Sequence, residues 1–166
     1  MAGEISYRYY AVWGNDAWAA YRALTRRCPS FTKTVGPTHR AVVAYDGAVP
    51  VGMLAFACTS TQRPYAIGGV LCASGTLIAN GTFVRPAYRS KKIAINLWTL
   101  ALNTTGQTVH VTVTKKGGPV VLGAAARFPR VTFQIEAYRH ELRADLPNVQ
   151  ITVSDEQTPI YPLYLA

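Results

Sequence analysis

The sequence predicts one α/β (α+β) domain, residues 1–166, in which helices cover a mixed β-sheet. Hydrophobic residues make up 49% of the chain and charged residues only 15%, which is typical of packed globular proteins. Asp46-Gly47 joins two strand-like segments, a strong hairpin signal. Strand-like and helical segments alternate later in the chain, and helical crossovers join parallel strands. Hairpins early and crossovers later therefore predict a mixed sheet.

The strands are predicted from runs of β-branched and aromatic residues, several of which alternate with polar ones. They are expected at residues 5–10, 39–45, 51–58, 76–84, 108–114, 131–137 and 149–153. Residues 59–75 are polar and glycine-rich, and we interpret them as a loop or a ragged hairpin. Residues 138–146 are charged and fit either a helical turn or a loop.

Three segments have helical periodicity or helix-end signals. The first covers residues 17–28 between an Asn-Asp cap and Pro29, which stops it. The second covers residues 92–106 and is mostly apolar, so we expect it to be buried. The third covers residues 117–128 and opens with two glycines and a proline that suits the first helical position.

The charge balance favours an anionic partner. Seventeen Lys and Arg residues oppose eight Asp and Glu residues, for a net charge of +9, and 12 of the 17 are arginine. Arginine is the better residue for holding phosphate in a fixed geometry. The partner classes that remain are a nucleotide, a nucleic acid or an acidic protein surface.

The cysteines and the apolar segments point to a cytoplasmic protein. Cys28, Cys58 and Cys72 are an odd number without metal-type spacing, which favours reduced thiols, although one pair could bond in a secreted protein. No 18-residue apolar run indicates a membrane span, and the N-terminus lacks the pattern of a signal peptide. The three histidines have no cysteine or carboxylate at metal spacing, so no metal site is expected.

Three cations crowd the start of the second predicted helix. Arg89, Lys91 and Lys92 follow a strand that ends at Val84 and a proline turn. Cations are mildly unfavourable at this end of a helix, because the macrodipole is positive there. A polyanion between them would make the arrangement favourable, since the first helical N–H groups also lack intrahelical partners. The alternative is a solvated basic turn.

This stretch resembles the signature of the GCN5-related N-acetyltransferase (GNAT) family. Arg89–Ala94, R-S-K-K-I-A, is similar to the family's Arg/Gln-x-x-Gly-x-Gly/Ala motif, with Lys92 in place of the first glycine. The preceding V-R-P-A-Y resembles its Val-x-Pro-x-Tyr approach. The resemblance covers about residues 5–153. It implies a mixed, mostly antiparallel central sheet of about six to seven strands with three to four helices on its faces.

The resemblance also implies an acyl-CoA-dependent N-acyltransferase that uses acetyl-CoA and acts on an amine of a protein or small molecule. Backbone N–H groups of Phe83 or Val84 would polarise the thioester carbonyl. The coenzyme A pyrophosphate would lie against the signature residues, which are Arg89, Ser90, Lys91, Lys92, Ile93 and Ala94.

The usual catalytic residues of the family are absent from their expected positions. Residues 76–84 contain no acidic base, and residues 120–128 contain no tyrosine acid. His110, on the fifth strand, is the nearest titratable group, and a neutral histidine can act as a base near pH 7. Asn80 and Thr82 could orient a water. The alternatives are that His110 is a packed or solvated strand residue and that the other two only face solvent or a neighbour.

Two other functions remain open from the sequence. One is a catalytically weak GNAT-like binding module, for example a phage protein that acts on a host protein in the host cytoplasm. The other is a basic nucleic-acid binder, which is not favoured because the aromatic residues are dispersed. The expected partners are thus an acyl-CoA donor and an amine acceptor, without a membrane, and the protein is a monomer or a homodimer.

Overall fold

The computed structural model describes residues 4–27, 39–58, 65–67, 70–72, 76–89, 91–104 and 108–155. The strands are β1 (Ile5–Tyr10), β2 (Arg40–Asp46), β3 (Val49–Cys58), β4 (Tyr65–Ile67), β5 (Val70–Cys72), β6 (Thr76–Val84), β7 (Thr108–Val113), β8 (Thr132–Tyr138) and β9 (Val149–Ser154). The helices are α1 (Asn15–Arg27), α2 (Ile93–Thr104) and α3 (Gly118–Arg127), and a short 3₁₀ turn, Pro86–Tyr88, precedes α2.

The strands form the mixed sheet that the sequence predicts. Hydrogen bonds connect seven of them in the order β1-β2-β3-β6-β7-β8-β9, while β4 and β5 form a separate two-stranded sheet. β1, β2 and β3 pair antiparallel, whereas β6, β7, β8 and β9 pair parallel. The parallel share is larger than the mostly antiparallel expectation, because each of the last three strands follows a crossover instead of a hairpin.

The β2–β3 hairpin turns at the predicted Asp-Gly pair. Asp46 pairs with Val49, which leaves a two-residue loop whose first member, Gly47, has a φ of +62°. A positive φ at this position suits the tight hairpin turn and favours glycine. The register shifts between Ala44 and Tyr45, and Pro50 pairs at this bulge, where a missing N–H is tolerated.

The backbone divides into two compact units, which we describe separately. Unit 1 comprises Met1–Phe56 and Asn80–Thr104, and unit 2 comprises Ala57–Ala79 and Thr105–Ala166. β6 contributes its first residues to unit 2 and its remaining residues to unit 1.

Unit 1 has helices on both faces of its strands. α1 packs on the face that contains Val43, in a core of Trp13, Ala17, Ala20, Leu24, Ala41, Val43, Met53, Ala55 and Phe83. Tyr7 pairs with Ala44, so it lies on the opposite face, and its hydroxyl accepts a hydrogen bond from Asn96 Nδ2 of α2 at 3.0 Å. The central strands are covered from both sides, and therefore β3 is buried continuously from Val51 to Ala57.

Unit 2 is built on the parallel strands β7, β8 and β9. The ladder between β6 and β7 joins Thr76–Ile78 to Thr108–His110, and β7 pairs with β8 from Thr108 to Val113. Asn148 Nδ2 donates to three carbonyl oxygens at 2.9–3.1 Å, those of Ala125, Phe128 and Val131. The oxygens of Ala125 and Phe128 also accept from the backbone N–H groups of Phe128 and Val131, so this amide adds to the hydrogen bonds that close the end of α3.

Two segments, residues 59–75 and 138–146, each allowed two interpretations from the sequence. Within 59–75, the described residues form the antiparallel β4–β5 pair, which fits the ragged hairpin. Residues 139–148 are turns and irregular chain instead of a helix. The helix stop at Pro29, the end of the second helix at Gly106 and the thiols of Cys28, Cys58 and Cys72 lie outside the described residues and side chains.

No described helix combines the length and the apolar character needed to cross a membrane. In the same part of the chain, no three His, Cys, Asp or Glu residues are grouped so that they could hold a metal ion.

Candidate functional site

The junction between β6 and α2 is a tight turn attached to β3. The Arg85 N–H donates to the carbonyl oxygen of Val51 at 2.8 Å, which ties the end of β6 to the neighbouring strand. The 3₁₀ turn follows, and the Arg89 N–H donates to the Pro86 oxygen at 3.3 Å. The chain thus passes from strand to helix within a few residues, and this brings the predicted cations to the first turn of α2.

Lys92 caps α2 in a left-handed conformation. Its φ is +63°, and its carbonyl oxygen accepts the first helical hydrogen bond from the Asn96 N–H at 3.1 Å. A left-handed backbone costs a residue with a side chain about 1–2 kcal/mol, and glycine avoids this cost. Lys92 occupies the position of the first glycine in the GNAT signature that this stretch resembles. The left-handed backbone at this position is a conformational reason for glycine there.

The first turn of α2 directs backbone N–H groups away from the helix. The amides of Ile93 and Ala94 belong to the first helical positions, which have no intrahelical acceptor. The Ile93 side chain is 2% exposed and anchors this turn in the interior. A helix start with fixed amides and adjacent cations is chemically suited to a phosphate group.

The three predicted cations lie on the surface of this turn, and two of them contact aromatic rings. Arg89 Nε donates to the Val84 carbonyl oxygen at 3.0 Å, and its guanidinium lies 5.9 Å from the centre of the Phe83 ring. Lys91 Nζ lies 5.7 Å from the centre of the Tyr88 ring. Lys92 is exposed. The positive charges therefore remain accessible to solvent at the helix start.

Tyr88 links this turn to the β2–β3 hairpin, a contact that the sequence did not predict. Its hydroxyl donates to Asp46 Oδ2 at 2.6 Å, and the hydrogen bond to this carboxylate raises the pKa of Tyr88. The Arg85 guanidinium lies 5.8 Å from the centre of the same ring. The Val-x-Pro-x-Tyr stretch points to Tyr88 in the sequence, but its partner Asp46 lies 42 residues away in the chain.

Gly52 is a second residue of the site that the sequence did not single out. A Cβ added there would lie 3.2 Å from the Phe83 carbonyl oxygen and 3.3 Å from Ile93 Cγ2. Such distances are tighter than ordinary van der Waals contact, so a side chain at this position would require the end of β6 or the start of α2 to shift by a few tenths of an ångström. Gly52 thereby fixes the position of the turn that carries the cations.

The remaining predicted residues of this turn and of β6 have distinct environments. Phe83 is 6% exposed and Val84 is 8% exposed, so both side chains belong to the interior. Thr82 is half-buried on β6. The side chain of Asn80 and all of Ser90 lie outside the described part of the chain.

Unit 2 contains the predicted base, and polar side chains surround it. In the parallel β7–β8 register, His110 pairs with Gln134 and Thr112 pairs with Glu136. Paired residues of neighbouring strands share a face, and residues two apart on one strand do so as well. These four side chains therefore form one polar face, which we call the β7–β8 polar face.

His110 is buried on this face. Its side chain is 1% exposed, and burial lowers the pKa of the imidazole below its usual value near 6.5. The negative charge of Glu136 and a side-chain hydrogen bond with Gln134 act in the opposite direction. Because burial is the largest of these effects, His110 is neutral at pH 7, the state that a base requires.

Glu136 is the acidic residue of this face, and the sequence interpretation missed it. It is 4% exposed, and Thr112 Oγ1 donates to its Oε2 at 3.4 Å. Carboxylates are rarely buried unless they are paired and hydrogen-bonded. The alternation of β8 places Gln134 and Glu136 on one side, but only the pairing with β7 brings them to His110.

Comparison with solved structures identifies the class of fold. The chain has the fold of GNAT acetyltransferases. A structure of AAC(6')-Iy in complex with the bisubstrate analogue CoA-S-monomethyl-acetylneamine matches with a TM-score of 0.52 and 14% identity, covering 84% of this chain and 100% of that chain. The aminoglycoside acetyltransferase meta-AAC0020, from an uncultured soil metagenomic sample and in complex with sisomicin, matches with a TM-score of 0.51 and 12% identity over 84% of this chain and 97% of that chain. No protein-family model matches the sequence, and a comparison with curated proteins finds no match.

Proposed function

We propose that this protein is an acyl-CoA-dependent N-acyltransferase that transfers an acetyl group from acetyl-CoA to an amine. The observation that carries the proposal is the start of α2, where exposed cations surround fixed helical amides behind a left-handed Lys92. The turn carries the residues that resemble the family's signature, in a chain with the fold of GNAT acetyltransferases. The arrangement matches the charge and hydrogen-bonding needs of a pyrophosphate.

The donor would be held mainly by unit 1. The amides of Ile93 and Ala94 would donate to the pyrophosphate, and Ser90 is a further candidate contact. Lys91 and Lys92 would neutralise its charge, and Arg89 would do so from the end of the 3₁₀ turn. The left-handed backbone of Lys92 is unfavourable in free energy. A direct contact of the Lys92 ammonium group with phosphate would offset that cost.

The chemistry would be direct attack of the amine on the thioester. Backbone N–H groups near Phe83 or Val84 would stabilise the negative charge that develops on the carbonyl oxygen. An alkyl ammonium must lose a proton before it attacks, because its pKa is about 10.4. Asn80 and Thr82 are the candidates for orienting a water. His110 of unit 2 is the candidate base, since its imidazole is neutral at pH 7.

We propose a small-molecule amine as the first acceptor class to test. The similar structures of AAC(6')-Iy and meta-AAC0020 are of aminoglycoside acetyltransferases, and one of them is in complex with sisomicin. Polyamines and amino sugars should therefore be assayed beside lysine-containing peptides.

A titration with acetyl-CoA tests the donor site. We expect micromolar binding to the native chain and at least a tenfold loss in the Lys91→Glu/Lys92→Glu double variant. Each charged hydrogen bond contributes about 1.5–3 kcal/mol, and the reversed charges also repel phosphate. Calorimetry measures the affinity, and thiol release in the presence of each amine measures transfer.

The matched control reverses two exposed cations at the end of α3. Arg127→Glu/Arg130→Glu makes the same change in net charge, and it should leave the affinity for acetyl-CoA within about twofold of the native value if long-range fields are screened. Equal losses in the two double variants would mean that net charge, and not the α2 turn, attracts the donor. Absence of acetyl-CoA binding to the native chain would reject the proposal.

A binding module that retains the donor site without catalysis is the second candidate. The burial of His110 favours it, because a base that is 1% exposed has restricted access to an acceptor. Such a module would bind acetyl-CoA but release no thiol with any amine. A short DNA duplex in the same titration tests the nucleic-acid alternative, which predicts strongly salt-dependent binding of the duplex.

A further inference from the structure

An aspartate of the β2–β3 hairpin contacts the turn that carries the cations of the proposed donor site. Asp46 is the last residue of β2, and Tyr88 is the last residue of the 3₁₀ turn before α2. The Tyr88 hydroxyl donates to Asp46 Oδ2 at 2.6 Å, a length typical of a strong hydrogen bond to a charged acceptor. Both residues belong to unit 1, so the contact lies within one compact part of the chain.

The ring of Tyr88 contacts two cations of the same segment. Lys91 Nζ lies 5.7 Å from the centre of this ring, and the Arg85 guanidinium lies 5.8 Å from it. A cation within about 6 Å of a ring centre is attracted by the negative charge of the ring face. A phenol that donates to a carboxylate is polarised, so its ring attracts a cation more strongly. Asp46 therefore acts on Lys91 through Tyr88.

Contact with the ring restricts the Lys91 side chain before a ligand binds. Lys91 is exposed, and an exposed lysine loses considerable rotamer entropy when a ligand orders it. A side chain that already lies against the ring has lost part of that freedom. The ammonium group has three N–H donors, and its contact with a ring leaves donors for a phosphate oxygen.

The acceptor of the Tyr88 hydrogen bond is fixed by the hairpin. Asp46 pairs with Val49 across a two-residue loop. The Arg85 N–H donates to the Val51 carbonyl oxygen at 2.8 Å, so the hairpin also holds the residue before the 3₁₀ turn. The turn is thus attached to the hairpin at both of its ends, by the backbone at Arg85 and by the side chain at Tyr88.

We propose that Asp46 and Tyr88 are positioning residues of the donor site, which hold the Lys91 ammonium group at the start of α2 for the donor phosphates. This inference rests on the proposed acyltransferase function and deepens it, since it names the residues that orient one of the donor-binding cations. Both residues act through Lys91, so they should change the binding of the donor and not the transfer step.

Tyr88→Phe and Asp46→Ala break the hydrogen bond from its two ends. We expect each to weaken acetyl-CoA binding by about threefold, the size of one exposed cation–π contact. The direction is informative for Asp46→Ala, because removal of a negative charge near the cations would by itself strengthen the binding of phosphate. The double variant should lose no more than either single variant, since the same bond is broken in all three. Calorimetric titration measures these affinities.

A truncated donor separates positioning from a general structural role. S-acetylpantetheine has the thioester of acetyl-CoA but lacks its phosphates. Tyr88→Phe should therefore lower kcat/KM for acetyl-CoA through KM, while kcat/KM for S-acetylpantetheine should stay within about twofold of the native value. A variant that only loosened the fold would lower both.

A double-mutant cycle tests whether the pair acts through Lys91. In a Lys91→Met background, Tyr88→Phe should cause no further loss of affinity, because the ammonium group that the ring holds is gone. The matched controls are Tyr10→Phe, which removes a hydroxyl hydrogen-bonded to Tyr45 at 2.8 Å in the same unit, and Asp16→Asn, which removes an exposed negative charge. Both should keep the native affinity for acetyl-CoA within about twofold.

Each outcome decides between the inference and the function on which it rests. If the native chain binds acetyl-CoA and both Tyr88→Phe and Asp46→Ala bind it equally well, the positioning role is wrong and the proposed donor site stands. A loss in Tyr88→Phe that is as large in the Lys91→Met background would also overturn the role. If the native chain binds no acetyl-CoA, the function and the positioning role fail together. Should Asp46→Ala not fold, Tyr88→Phe and Asp46→Asn decide by the same criteria.

Discussion

At the scale of single residues, Lys92 combines an unfavourable backbone conformation with a charge at the proposed donor site. A lysine at a φ of +63° adopts a conformation that L-residues with side chains disfavour. The neighbouring Lys91 does not have a positive φ. Strained residues persist where the surrounding structure holds them, and they occur often at ligand sites. We therefore expect Lys92 to trade stability for a charge at the donor site.

The variant Lys92→Gly separates these two effects. Glycine removes the left-handed strain but adds freedom to the unfolded chain, so the net gain in the free energy of unfolding should be about 0.5–1 kcal/mol. The affinity for acetyl-CoA should fall, because the proposed donor site would lose an ammonium group that can contact phosphate. Denaturant unfolding measures the first quantity and calorimetric titration the second.

Lys91→Gly serves as the control at a position without positive φ. It removes the same charge but relieves no strain, so its free energy of unfolding should fall or stay constant. A Lys92→Gly variant that is less stable than the native chain would contradict the strain account. Unchanged acetyl-CoA affinity would mean that the side chain of Lys92 does not contact the donor.

At the scale of elements, local signals predicted strands and helices, whereas contacts between distant segments were missed. The Asp46-Gly47 turn and the three helices follow from nearby residues, since turn chemistry and apolar periodicity act over a few positions. The contact of Tyr88 with Asp46 and the position of Glu136 beside His110 depend on strand pairing. Pairing is decided by the packing of the whole sheet, and one sequence contains no direct record of it.

Gly52 lies at a contact between β3 and the end of β6 that positions the proposed donor site. β3 lies so close to the end of β6 that a methyl group at Gly52 would meet a backbone oxygen, and that backbone is fixed by the sheet. We expect Gly52→Ala to lower the free energy of unfolding by about 1–3 kcal/mol, the usual cost of overpacking. It should also weaken acetyl-CoA binding, because the turn before α2 must shift. Thermal or denaturant unfolding and titration measure the two effects.

Gly14→Ala is the matched control for this substitution. Nothing lies within 4 Å of a Cβ added at Gly14, and its φ is not positive, so alanine there should be neutral or slightly stabilising. A Gly52→Ala variant as stable as Gly14→Ala would show that β6 can move away from β3. In that case the close approach would not determine the geometry of the donor site.

At the scale of the whole molecule, the buried imidazole couples global stability to pH. The pKa of His110 is lower in the folded chain than its ordinary value near 6.5, because burial disfavours the charged form. The unfolded chain therefore binds more protons than the folded chain in the window just below pH 6.5. The free energy of unfolding consequently falls as the pH decreases through that window. Above the window, His110 makes no contribution to the pH dependence of stability.

The variant His110→Gln removes this dependence. The free energy of unfolding of the native chain should decrease between about pH 6.5 and pH 5, whereas that of His110→Gln should change less over the same range. Denaturant unfolding at a series of pH values measures both curves. His140→Gln is the control, because His140 is only partly buried and its Nδ1 lies 2.7 Å from the Tyr138 carbonyl oxygen. If the free energy of unfolding became less dependent on pH in His140→Gln but not in His110→Gln, the assignment of this dependence to His110 would be wrong.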